Sequence, residues 1–98
     1  MNQPIPPPYR VFETRPFLDH LQDLQTPMTS KITEKLKSQV YPQLRHQPHF
    51  GPNIKKLRDW EPETWRYRIG PWRVFYEIGE KDRVVYITAM DLRRDAYS

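Results

Sequence analysis

Three arginines, Arg66, Arg68 and Arg73, stand within eight residues of one another, interleaved with aromatic and aliphatic side chains. Over residues 64–78 the period is two. Trp65, Tyr67 and Ile69 alternate with Arg66 and Arg68, and past Gly70-Pro71 the residues Trp72, Val74, Tyr76 and Ile78 alternate with Arg73, Phe75 and Glu77. Two strands joined by a symmetric turn at Gly70-Pro71 pair Ile69 with Trp72, Tyr67 with Val74 and Trp65 with Tyr76, which makes one apolar face. The same register sets Arg68 directly opposite Arg73 and Arg66 opposite Phe75. Like charges facing each other across a sheet are destabilising, so this face is read as built to receive an anion. Guanidinium groups bind phosphate in a bidentate manner and stack on bases, which points to nucleic acid. A second basic group, Lys55, Lys56 and Arg58 around Leu57, lies just upstream, and Arg93 and Arg94 lie near the C-terminus.

Other chemistries find little support. The chain has no cysteine, which excludes disulfides and thiolate zinc sites and favours a reducing compartment. His46 and His49 are three apart with Pro48 between them, and no carboxylate is spaced to complete a metal site. There is no glycine-rich phosphate loop and no serine nucleophile motif. No metal and no cofactor are expected. Glu77 shares the arginine face and is either a general base or a structural ion-pair partner. Trp60 could be core or a stacking surface for a base.

The elements that must hold these residues follow from length and patterning. Ninety-eight residues support one core, and eleven prolines leave much of the chain as loop. The net charge of +4, with ten arginines among sixteen basic residues, favours a polyanionic partner. Residues 1–8 form a proline-rich flexible tail, and residues 9–98 form a single domain. A short strand fits Tyr9 to Glu13. Thr14 can cap a helix carrying Phe17, Leu18, Leu21 and Leu24 on one stripe. Thr26 can cap a second, with Met28, Ile32, Leu36 and Val40 at successive fourth positions, ending at Pro42. Lys31, Lys35, Lys37 and Glu34 make its solvated face. Residues 42–64 read as a long loop, and Val84 to Met90 as a third, central strand of a meander. The expected fold is α+β: a small, antiparallel-rich sheet of about four strands with a two-helix hairpin on one face. No segment has the ~20 apolar residues of a membrane span, and a cytoplasmic location is expected.

The order strand, helix, helix, strand, strand, strand resembles the RelE/ParE toxin superfamily. The residues that carry the likeness are Gly51-Pro52-Asn53-Ile54-Lys55-Lys56-Leu57, Trp65 to Ile69, Trp72 to Ile78 and Arg93-Arg94-Asp95-Ala96-Tyr97. The resemblance covers about Tyr9 to Tyr97. It implies a toxin of a type II toxin–antitoxin system with a cognate antitoxin as partner. RelE-type members are metal-independent endoribonucleases that cut mRNA in the ribosomal A site and inhibit translation, whereas ParE-type members poison DNA gyrase. The ribonuclease branch is the nearer of the two, with a gyrase inhibitor or a non-catalytic nucleic-acid-binding module as the alternatives.

On the ribonuclease pattern, Arg66 and Arg68 fall at two strand lysines, Arg73 at an arginine of the next strand, and Arg93 and Tyr97 at a C-terminal arginine and tyrosine. The resemblance thus implies Arg68, Arg73, Arg93 and Tyr97 as catalytic residues. Arg66 and the further basic residues Lys55, Lys56, Arg58 and Arg94 are expected to contact RNA. Arginine stands at 68 where a lysine serves as base in the best-understood type of that branch. A guanidinium keeps its proton, so catalysis here is expected to rest on electrostatics and positioning.

Overall fold

The alternation around Gly70-Pro71 folds as a hairpin. In the computed structural model, which describes residues 8–24 and 27–92, strands β3 (Trp65–Ile69) and β4 (Trp72–Gly79) pair antiparallel. Their register is Trp65 with Tyr76, Arg66 with Phe75, Tyr67 with Val74, Arg68 with Arg73 and Ile69 with Trp72, every pair as the sequence pattern requires. Gly70 takes a φ of +54° at the first turn position, while Pro71 holds a negative φ at the second. That combination suits the type II′ turn, whose twist matches the flanking strands.

Around the hairpin the sheet grows to five strands in the order β1-β5-β4-β3-β2. β1 (Arg10–Glu13) runs parallel to β5 (Val84–Leu92), which makes the sheet mixed, and β5 pairs antiparallel with β4. The expected α+β class and strand–helix order hold. The added strand is β2 (Ile54–Lys56), an edge strand on β3 that lies within the stretch expected to be loop. At three residues it is too short to show a period. One residue of β5, Thr88, has no opposite number: Phe75 faces Ala89 and Tyr76 faces Ile87. The Thr88 hydroxyl donates to the Phe75 carbonyl (3.3 Å), which secures this bulge next to the arginine face.

The helices cover the apolar face. α1 (Arg15–Leu24) begins at Thr14, whose carbonyl accepts from Leu18 N–H (3.0 Å) and whose hydroxyl donates across to the Ile87 carbonyl (2.7 Å). The hydroxyl therefore fastens the helix entrance to β5. Phe17 is fully buried, whereas Leu18, expected on the same stripe, is exposed. In α2 (Pro27–Lys35) Ile32 is buried, and Lys31, Glu34 and Lys35 are exposed as expected. Thr26, its expected cap, lies outside the described residues.

The second helix does not stop at Pro42. It passes through a π-helical segment, Leu36–Val40, into α3 (Tyr41–His46). A proline inside an α-helix lacks a donor and presses its ring against the carbonyl four residues back. Here Tyr41 N–H reaches back five residues to the Leu36 carbonyl, and this wider turn accommodates the proline at the entrance to α3. The continuation buries Leu36, Val40, Tyr41 and Leu44 in one cluster with Tyr67, Val74, Tyr76, Val85 and Ile87. Two phenols of the sheet then fix α3 and the chain leaving it: Tyr67 donates to Gln43 Oε1 within the helix and Tyr76 to the Pro48 carbonyl beyond it, both at 2.7 Å. Trp65, Tyr67, Trp72 and Tyr76 all belong to this core or pack against it. Among the described residues no helix is long and apolar enough to cross a membrane. Residues 1–7 of the expected tail lie outside the described range.

Candidate functional site

With the apolar side chains committed to the helices, the alternate residues of β3 and β4 face the opposite way. Arg66, Arg68, Arg73 and Phe75 gather there around a cavity of about 260 Å³, completed by Lys55 of β2 and by Leu57 just beyond it. Four cations from three neighbouring strands thus share one hollow. The pairing of β2 with β3 sets Lys55 directly opposite Arg66, so a second like-charge pair stands beside Arg68 and Arg73. Repulsion of this kind is relieved when an anion enters, and oxygen acceptors of a phosphate suit guanidinium donors.

Burial grades the four. Arg73 is buried at 9% exposure, its Nη1 donating to the Trp72 carbonyl (3.3 Å), and it lies between Arg68 on one side and Asp91 of β5 on the other. Arg66 is half-buried, and Lys55 and Arg68 are exposed. A buried inner cation and more exposed outer ones suit a site that must both orient a phosphate and admit it. Phe75 forms the apolar wall and separates this cavity from a wider groove of about 740 Å³, lined among others by Trp60, Glu61, Glu77 and Asp91.

The remaining expected site residues fall elsewhere. Strand alternation turns Lys56 away from Lys55; its ammonium pairs with Glu63 (3.0 Å) and lies 5.9 Å from the Trp65 ring centre. Arg58 is exposed along a separate depression with Trp60, Glu61 and Glu63. Arg93, Arg94 and Tyr97 lie outside the described residues. Glu77 makes no ion pair among the described residues and lines the wide groove. Sequence reasoning left Lys55 in an unordered loop and did not see Phe75 as a wall. The available signal for Phe75 was its being the one aromatic residue on the arginine face of the hairpin.

His49 takes part in a different construction. Its Nε2 meets Glu80 Oε2 at 2.6 Å and its Nδ1 meets Gln47 Oε1 at 3.1 Å, while Tyr9 donates to Glu80 Oε1 (2.9 Å). These bonds join the segment after α3 to the β4–β5 turn and the start of β1. The bond from His49 holds the Glu80 carboxyl below its ordinary range, partly offset by burial and aided by Tyr9.

Comparisons with known proteins agree with this architecture. The sequence model for the ParE toxin of type II toxin–antitoxin systems, parDE, matches residues 11–97. No sequence among curated proteins matches significantly. Among solved structures, the chain is similar to one in the toxin–antitoxin complex RelBE2 of Mycobacterium tuberculosis, at 27% identity and a TM-score of 0.68, covering 90% of this chain and 94% of that one. It is also similar to one in the archaeal RelE–RelB complex of Pyrococcus horikoshii, at 25% identity and a TM-score of 0.62, covering 89% and 97%. The free E. coli toxin RelE, in a doubly arginine-substituted form, shares the fold at 16% identity and a TM-score of 0.62, covering 92% of this chain and 88% of that one.

Proposed function

Since the chain belongs to the family of ParE toxins of type II toxin–antitoxin systems, we propose that it arrests growth as a metal-independent endoribonuclease acting on mRNA at the ribosome. The observation that carries this reading is the convergence of Lys55, Arg66, Arg68 and Arg73 on one cavity, with like charges opposed in two adjacent rows. In the proposed step the 2′-oxygen bonds to the adjacent phosphorus while the bond from phosphorus to the 5′-oxygen breaks. The 2′-hydroxyl gives up its proton and the leaving 5′-oxygen gains one, so the products are a 2′,3′-cyclic phosphate and a 5′-hydroxyl. Arg68 and Arg73 clamp the scissile phosphate and stabilise the charge that grows on it, with Arg66 and Lys55 beside them. No arginine serves as base, because the guanidinium stays protonated. Arg93 at the leaving oxygen and Tyr97 against a base complete the proposed set, with Lys56, Arg58 and Arg94 contributing longer-range attraction to RNA.

A cognate antitoxin is the proposed partner. The similar M. tuberculosis and P. horikoshii chains come from complexes of this kind, and an acidic chain covering the cavity would neutralise the opposed cations. Gyrase inhibition is the second reading, favoured by the ParE model match. One experiment separates the two: expression of the chain alone in bacteria, with sequencing of RNA 5′ ends and a DNA-damage reporter. Discrete new 5′ ends within translated messages are expected, lost in Arg68→Ala with the fold intact by circular dichroism. Growth arrest with intact RNA and an active DNA-damage reporter would instead establish gyrase inhibition.

A further inference from the structure

Trp60 is nearly half exposed, at 48%, although it is among the largest apolar side chains of the molecule. Its ring is not loose. It lies almost parallel to Phe75, with 5.7 Å between ring centres and 19° between planes. Asp59, immediately before it, takes a φ of +59°, a left-handed conformation that aspartate tolerates better than most residues. The stack is therefore held by one buried ring, Phe75 at 7% exposure, with a large part of the indole left in solvent.

Phe75 is also the wall of the cation cavity, so phosphate-binding groups and an exposed indole stand on either side of a single ring. That juxtaposition is how single-stranded nucleic acid is held: cations follow the backbone and aromatic faces accept the bases. The parallel stack leaves the outer indole face open, so a third ring can be added to it without breaking the pair, while the carboxylates of Glu61, Glu77 and Asp91 along the same groove leave phosphate binding to the cavity beyond Phe75.

We propose that Trp60 is the base platform of this site, on which a nucleobase adjoining the phosphate in the cavity stacks and extends the Phe75–Trp60 pair by one ring. The assignment rests on the RNA-binding part of the reading above, the cavity as the seat of an RNA phosphate, and adds a positioning residue to it. Every base has a π face, so Trp60 supplies affinity and register without selecting base identity.

The test uses the full chain and an RNA carrying 2-aminopurine next to a cleavage-blocking 2′-deoxy position, offered free and on programmed ribosomes. Stacking on indole quenches 2-aminopurine. Quenching is expected with the wild type and with Trp60→Phe, and its loss with Trp60→Leu, which retains an apolar cover over Phe75 but has no π face. Binding should weaken about tenfold in Trp60→Leu, appearing in KM more than in kcat for cleavable RNA. Quenching by Trp60→Leu equal to the wild type, or none by the wild type in either setting, overturns the assignment. Cleavage that persists in that event leaves the nuclease reading intact. Wild-type quenching without cleavage of all-ribose RNA refutes the nuclease reading and leaves the platform standing.

Discussion

Arg68 is exposed and faces Arg73 across the hairpin, so removal of its charge should stabilise the fold while it disables the site. Relief of a directly opposed like-charge pair is worth about 0.5 kcal/mol, which in a domain of this size corresponds to a rise of roughly 2–4 °C in Tm. Arg68→Gln is therefore expected to melt higher than the wild type and to lose toxicity. Thermal unfolding at low salt checks it, and an unchanged or lower Tm would mean that Asp91, on the far side of Arg73, already neutralises the pair. A site kept at the expense of stability is common where function demands clustered charge. This opposition was legible from alternation alone, because a two-residue turn fixes register without tertiary information. The matching opposition of Lys55 and Arg66 was not, since it requires β2, whose three residues order only because β3 offers them an edge.

At the scale of elements, the bonds around Glu80 fasten the segment after α3 to the β4–β5 turn, and they respond to pH. Tyr9, His49 and Arg83 face this carboxylate, and the bond from His49 is the leading cause of its lowered pKa. A depressed carboxyl contributes stability above its unfolded value of 4.5, and the contribution is lost as pH falls through the lower folded value. Because the Glu80 side chain is 56% exposed, screening limits the effect to about 0.5 kcal/mol. Glu80→Gln should melt a few degrees below the wild type at pH 7, and the gap should close as the pH is lowered from 4.5 through the depressed folded value. A gap that stays constant across that range would remove the titration argument. None of this contact was legible in the chain: Tyr9 and Glu80 are 71 residues apart, and only the parallel pairing of β1 with β5 brings them together. The passage through Pro42 was hidden for a different reason. The rule that proline ends helices is a rule about α-helical hydrogen bonding, and a π turn changes that bonding.

For the whole molecule, the charge of +4 is less informative than its division between two layers. Lys31, Lys35 and Lys37 lie exposed on the helix layer, while Lys55, Arg66, Arg68 and Arg73 lie on the opposite face of the sheet. The layers are about 10 Å apart, comparable to the screening length of about 8 Å at physiological salt, so helix-face charges act weakly on an anion in the cavity. Two substitutions that change net charge equally should then behave differently. Each phosphate neutralised in a single strand contributes about 0.7 to the slope of log K against log salt. Arg68→Gln should reduce that slope for RNA binding by about 0.7, and Lys35→Gln should leave it unchanged within error. Titrations of a short RNA at four potassium chloride concentrations measure both. Equal reductions in the two variants would mean that the protein attracts RNA through its total charge, and the cavity would lose its claim to be the point where phosphate is held.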